Sequence, residues 1–199
     1  MINLKTLGLA ASLAAVSSVA SADTINFDDI TGPIANGYHG LDWSNFNVLK
    51  STKPQFDGSG YQNGTTSGTN VAYNRFGTPA SLSSASNFTL NSFEITGAWH
   101  NDLSVLITGY ENGILAFTQQ LLLNVNGPTL VTLNWVGIDS VGFESSGGFN
   151  AGLQGDGTQF ALDDLTFNAS PVPLPAALPL LAAALAGMGF VARRRRTKR

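Results

Sequence analysis

The sequence predicts an all-β domain, an antiparallel β-sandwich, and three observations support this fold class. Residues 24–167 contain short stretches in which apolar and polar side chains alternate, as in Val131–Trp135. The chain holds 22 glycines, and only 12% of its residues are charged. No stretch of the body shows a capped helical apolar period. Several strands at short spacing with many turn residues are typical of antiparallel sandwiches.

One β-hairpin is predicted with particular precision. The apolar stretches Leu103–Ile107 and Ile114–Leu123 flank Asn112-Gly113, a dipeptide in which both residues tolerate a positive φ. A similar string, Gly60–Gly64, has the same G-Y-x-N-G pattern, but it lies within a stretch rich in Gly, Ser and Thr. We therefore expect that earlier copy to form a long loop.

The distribution of charge excludes several classes of function. Between Asp23 and Pro171 only Lys50, Lys53 and Arg75 oppose all 13 acidic residues, so this part carries a net charge of −10. Such a body should repel phosphate backbones, and nucleic-acid binding is not expected. The chain has no cysteine, which excludes a disulfide framework, a thiolate zinc site and a cysteine nucleophile.

The N-terminus has the features of a secretory signal peptide, residues 1–22. Lys5 supplies a positive start, Leu7–Val19 is apolar, and Ala20 and Ala22 form an A-x-A pattern that suits the small pockets of signal peptidase. The alternative is a buried hydrophobic helix, which the abrupt polar switch at Asp23 disfavours. We expect the mature protein to begin at Asp23, with a sandwich domain over residues 23–169.

The C-terminus, residues 170–199, predicts a transmembrane helix. Val172–Ala192 is a stretch of 21 uncharged residues, and a helix of that length would reach roughly 31 Å, about one hydrocarbon thickness. Its prolines favour a start near Pro175, at the first helical position. The following block, Arg193, Arg194, Arg195 and Arg196, should stay cytoplasmic, so the acidic body would lie on the outer side.

The order of these tail features resembles a known sorting signal. A short proline motif (Val172, Pro173, Leu174, Pro175) precedes an apolar helix and a terminal arginine cluster, and this is similar to the VPLPA variant of the PEP-CTERM signal. Leu174 stands where the eponymous motif has Glu. The resemblance implies that exosortase, a membrane-embedded protease-transpeptidase, removes the tail. It also implies a Gram-negative host that makes exopolysaccharide and biofilm. A plain membrane anchor is the alternative.

The body is similar to domains that often precede PEP-CTERM signals. The resemblance rests on the G-Y-x-N-G hairpin, on Thr132–Val141 and on Phe160–Phe167. It implies a jelly-roll-like sandwich and no particular activity.

Two acidic pairs suggest a candidate metal site. Asp28-Asp29 opens the body and Asp163-Asp164 closes it, so pairing of the terminal strands would bring them together. Clustered carboxylates repel one another unless a hard cation binds, and Ca²⁺ takes such oxygen ligands. Asp156 in a nearby G-D-G-T loop would add one more. The alternative is that each Asp ends a strand and faces water. Adjacent strand residues point to opposite faces, so only one of each pair should reach one site.

Aromatic residues near turns suggest a candidate sugar site. Exposed Trp and Tyr faces stack on sugar rings while Asp and Asn accept hydroxyl hydrogens. The alternative is that Trp43, Trp99 and Trp135 fill the core, as large aromatics do in sandwiches. The turn-proximal aromatics and their neighbours are Tyr38, His39, Trp43, Phe46 and Trp99-His100.

These observations lead to one principal hypothesis and three alternatives. The chain is expected to be an exported, non-enzymatic protein that signal peptidase and exosortase process. It would pass through the inner membrane as an anchored precursor and end at the cell surface or in an extracellular polysaccharide matrix. The alternatives are a carbohydrate-binding module with a structural calcium, a permanently anchored envelope protein, and a glycan hydrolase. Only His39 and His100 are present, and no catalytic triad or nucleotide-binding motif is recognisable.

Overall fold

The computed structural model describes residues 23–168, so the predicted signal peptide and sorting tail lie outside the described residues. The described chain forms strands, one short helix, α1 (Gly60–Asn63), and two 3₁₀ turns, of which the first spans Pro54–Phe56. The strands are β1 (Asp23–Ile25), β2 (Gly32–Pro33), β3 (Asp42–Ser44), β4 (Phe46–Lys50), β5 (Asn70–Asn74), β6 (Ala80–Gly97), β7 (His100–Asn101), β8 (Leu103–Glu111), β9 (Ile114–Leu123), β10 (Thr129–Ser146), β11 (Phe149–Asn150) and β12 (Phe160–Phe167).

The sheet is antiparallel throughout and confirms the predicted fold class. Its strand order is β2-β4-β5-β12-β6-β10-β8-β9, with β1 paired to β12 and β3 paired to β6. Strands β6 and β10 are 18 residues long, and their shared register shifts three times between Thr132 and Ser140. Such irregularities bend a strand. The two long strands are therefore bent along their length.

Phe143 shows how the two layers pack. It lies on β10, and its ring centroid is 5.8 Å from that of Phe46 on β4, 5.7 Å from that of Phe93 on β6 and 5.8 Å from that of Phe160 on β12. All four side chains are buried. The contacts with Phe46 and Phe93 are edge-to-face and the contact with Phe160 is tilted, and aromatic contacts of this kind add to the hydrophobic stabilisation of a core. The core thus contains an aromatic cluster that joins β4, β6, β10 and β12.

The predicted strands and hairpin are confirmed. The sequence stretches 103–107, 114–123 and 131–135 lie in β8, β9 and β10. Asn112 and Gly113 have φ values of 51° and 74°, and they connect β8 to β9 as an antiparallel pair. Both residues have the positive φ that a type I′ turn requires.

The expectation for Gly60–Gly64 was incomplete, because its first four residues form α1. A single helical turn is too short to show an apolar period, so the sequence carried no helical signal. Tertiary contact imposes the turn, and the side chain of Tyr61 is buried beneath it. At Gly60 a Cβ atom would lie 1.8 Å from the Gly97 carbonyl oxygen. Glycine is therefore required for the helix to rest on β6.

Within residues 23–168, none of the helices has the length and apolar character needed to cross a membrane. The transmembrane helix predicted from Pro175 to Ala192 falls outside this part of the chain and stays a prediction.

Candidate functional site: a groove beside Trp99

One wall of the candidate site is the segment 51–69, which lies on the outer face of the sheet. Its aromatic side chains pack with Trp99 into a second cluster, separate from the main core. The Tyr61 ring centroid is 5.3 Å from that of Trp99 and 5.6 Å from that of Tyr73. Phe56 lies 5.1 Å from Tyr61 and 6.2 Å from Trp99. Burial raises the pKa of Tyr61 well above its usual value, so its hydroxyl stays protonated.

The opposite wall is the segment 147–159, which one asparagine organises. The Asn150 side-chain amide donates to the Gly155 carbonyl at 2.7 Å, and its Oδ1 accepts from the amides of Gly152 and Leu153. A Cβ atom on Gly155 would lie 2.4 Å from Cζ2 of Trp99. The Gly155 backbone therefore packs directly on the indole. Any larger residue would push this wall away from Trp99.

An ion pair fastens the second wall to β7. His100 Nε2 lies 2.6 Å from Asp156 Oδ1, and Nδ1 lies 3.0 Å from the Gly147 carbonyl oxygen. These two oxygens are acceptors, which favours a doubly protonated ring, whereas the Gly157 N–H lies 3.4 Å from Nε2 and donates a shorter bond to Asp156 Oδ1 at 2.9 Å. Burial works to lower the His100 pKa, but the bonds to Asp156 and Gly147 outweigh it and raise the pKa. The bond to His100 in turn lowers the Asp156 pKa.

Between these walls lies an open groove of about 280 Å³. The half-buried indole of Trp99 contributes an apolar surface, and Asp57 contributes a carboxylate that accepts a hydrogen bond from Gln62. Within residues 23–168 the side-chain amides of Gln55 and Gln154 have no hydrogen-bond partner. The groove thus combines a flat aromatic ring with unused planar donors and acceptors. Its lining residues are Pro54, Gln55, Asp57, Trp99, Gly152, Leu153 and Gln154.

A second depression, of about 240 Å³, is lined by residues of β6, β8 and β10. Thr108, Tyr110 and Glu144 line it, and no tryptophan is among its lining residues. The groove beside Trp99 is therefore the better candidate for an apolar ligand face.

The predicted aromatic candidates fall into different environments. Trp43, Phe46 and Trp135 are buried in the main core, as the alternative interpretation expected. The Tyr38 hydroxyl donates to Asp29 at 2.6 Å, and His39 pairs with Asp23 at 2.8 Å. These two contacts hold a surface turn. Trp99 alone among the predicted candidates lines the groove.

Strands β1 and β12 pair, as the acidic-pair hypothesis required, with Ile25 opposite Leu165. Asp163 Oδ2 accepts from the amides of Thr66 and Ser67 at 2.8 and 3.1 Å. The Ser67 hydroxyl donates to Asp164 Oδ1 at 2.7 Å. Asp163 and Asp164 thus reach one loop, contrary to the strand alternation expected. The reason is local, because Asp164 has a φ of 47° beside a register shift.

The other acidic pair divides between two segments. Asp28 Oδ1 accepts from the amides of Thr69 and Asn70 at 2.7 and 3.1 Å, whereas Asp29 faces Tyr38. Backbone N–H groups and hydroxyls thus donate hydrogen bonds to the carboxylate oxygens that were candidate calcium ligands. No group of three or more His, Asp or Glu residues in the described part of the chain is arranged to hold a metal ion. The calcium site stays a prediction.

Comparison with known proteins adds little to this geometry. No family model matches the chain, and no curated protein matches it. Among solved structures, it is similar to TmCBM61 in complex with β-1,4-galactotriose, at 12% sequence identity and a TM-score of 0.37, over 73% of this chain and 99% of that one. At that distance the comparison carries no functional argument, and the assignment rests on the groove.

Proposed function

We propose that the chain is an exported, non-catalytic carbohydrate-binding protein of the cell surface or the extracellular polysaccharide matrix. Exosortase would process its tail after signal peptidase has removed residues 1–22. The groove beside Trp99 supports the binding activity. The N-terminal signal pattern and the tail motif at Val172–Pro175 support the route of export.

The groove has the two elements that a sugar requires. The apolar face of a pyranose packs on an aromatic ring, and its hydroxyls need planar acceptors and donors around that ring. Trp99 supplies the first element, and the unpaired amides of Gln55 and Gln154 with the Asp57 carboxylate supply the second. The half-buried indole at the base of the groove is the observation that carries this proposal.

Charge favours neutral over acidic saccharides. Asp57 lines the groove, and no lysine or arginine is among its lining residues. The body carries three basic against 13 acidic residues. A uronate polymer would therefore meet repulsion both at the groove and at long range, since net charge controls non-specific encounter. We expect neutral β-linked or α-linked hexose polymers to be the ligand class.

Calorimetry with the full-length protein tests this function. We expect neutral hexose oligosaccharides to bind and oligouronates of the same length not to bind at low ionic strength. Product analysis in the same samples should find no new reducing ends, because the domain is proposed to be non-catalytic. Absence of binding to every saccharide would contradict the carbohydrate function. Release of reducing ends would favour the hydrolase alternative.

Intact-mass measurement tests the sorting proposal. In a host with exosortase, we expect mature protein that ends near Val172–Pro175 and lacks Arg193–Arg196. In an exosortase deletion, the tail should remain. Pro173→Ala with Pro175→Ala should mimic the deletion, because these prolines form the proposed recognition motif. Mature material that keeps its arginines in both hosts would instead indicate a permanently anchored envelope protein.

A further inference from the structure

Strand β9 (Ile114–Leu123) is a long sheet edge with unusual chemistry. It is the last strand in the order of the sheet, and only β8 pairs with it among the described strands. Its ten residues, ILAFTQQLLL, include no charged residue and no proline. Ile114 is 71% exposed and Leu122 is 64% exposed. A row of free backbone donors and acceptors therefore lies beside exposed apolar side chains.

Exposed edges of this kind are normally blocked. Natural sheets protect an edge with a short strand, a proline or a charge, because an open edge pairs with another chain. The opposite end of this sheet follows the rule, since β2 has two residues and one of them is Pro33. Strand β9 has none of these protections along its length. It is therefore built as a template for a further strand.

We propose that β9 pairs in antiparallel register with β9 of a second copy of this chain, which joins two sandwiches edge to edge. A register centred on Thr118 would set Thr118 opposite its own counterpart. The same register would set Ile114 opposite Leu122 of the second copy, and the two-fold axis repeats that contact. Both exposed ends of the strand would then be covered at once. A parallel arrangement would not cover both ends in this way.

Charge also selects this edge for self-association. Two bodies with a net charge of −10 each repel one another over most of their surfaces. Along β9 no like charges would come into opposition, because the strand has none. Cross-strand Thr–Thr and aliphatic pairs stabilise antiparallel sheets. Two copies can therefore approach each other most closely along β9, and β9 is also the strand with unpaired backbone groups.

Because the chain lacks cysteine, single-cysteine variants of the full-length protein test this pairing directly. Opposed residues in an antiparallel pair have Cα atoms about 4.5–5.5 Å apart, within disulfide range. Under mild oxidation in membranes, we expect Thr118→Cys to form a disulfide-linked dimer as its main product. Glu144→Cys is the control, since it is equally tethered by the tail but lies on the inner strand β10. It should stay monomeric.

A second pair of substitutions distinguishes pairing along the β9 edge from non-specific association of the two bodies. In the Thr118→Cys background, Leu122→Lys should reduce cross-linking at least about tenfold, because a charged edge residue blocks pairing. Leu130→Lys, at a site 63% exposed on β10, should leave cross-linking unchanged. Circular dichroism confirms that each variant is folded. Equal cross-linking at positions 118 and 144, no cross-linking at 118, or capture of a different protein at 118 would each overturn the proposal.

Discussion

Trp99→Ala is expected to weaken strongly the binding of the neutral saccharide identified by calorimetry. Loss of a central aromatic contact typically costs at least about 2 kcal/mol, which corresponds to roughly 30-fold weaker binding. The substitution also removes ring contacts with Tyr61 and Phe56. We therefore expect the free energy of unfolding to fall by about 2–3 kcal/mol, less than the ~3–5 kcal/mol of a fully buried tryptophan. Urea unfolding and calorimetry on the same sample separate the two effects.

Two further variants make the binding result specific to the groove. Gln154→Ala removes one proposed hydrogen bond and should weaken binding about three- to tenfold, with unfolding unchanged. Phe76→Ala removes an aromatic that is 72% exposed and does not line the groove, so binding should be unaffected. Normal binding by folded Trp99→Ala, or loss of binding in Phe76→Ala, would show that the saccharide does not bind in the groove beside Trp99.

The second large effect concerns Asp163, a fully buried carboxyl on β12. Burial raises its pKa to about 6, although the amides of Ser67 and Thr66 act in the opposite direction. The folded protein therefore binds this proton more tightly than the unfolded chain does. The contribution of Asp163 to stability is complete below its unfolded pKa of about 3.8 and declines as pH rises through about 6. The full difference is about 3 kcal/mol.

Urea unfolding at a series of pH values measures this effect. Relative to Asp163→Asn, the wild type should lose about 2 kcal/mol of its free energy of unfolding between pH 4 and pH 7, because only the wild type must ionise this buried group. Asp42→Asn removes an exposed strand carboxylate and should keep the wild-type profile. Parallel pH profiles for wild type and Asp163→Asn would show that Asp163 does not titrate with a raised pKa.

The strands were predictable because their signals are local. In β8 and β9 the alternation of side chains and the Asn112-Gly113 turn depend on neighbours within ten residues. The pairing of β1 with β12 was also anticipated, although its register was not. Strand alternation then led to the expectation that only one residue of each acidic pair would reach a common site. That expectation was wrong for Asp163 and Asp164. Asp164 has a positive φ, so its side chain does not follow the alternation of a regular strand.

The groove was only partly predictable. Trp99 was a candidate because it lies near a turn, but nothing in the sequence relates it to Gln55 or Gln154. Those residues come from two loops far apart in the chain, and the contact of Gly155 with the indole brings the second loop to the first. The pattern G-Y-x-N-G occurs twice in the sequence, but the pattern does not reveal that Gly60 allows α1 to rest on β6.

The sequence alone determined the fold class, the hairpin, the acidic body and the expected roles of both termini, since each depends on composition or on residues close in the chain. Only the tertiary structure decided which aromatic lines a groove, which carboxylates are satisfied by backbone amides, and which strand is left at an open edge. The physical reason is the same in each case. Burial and pairing depend on contacts between segments tens of residues apart, and such contacts leave no periodic signal in the sequence.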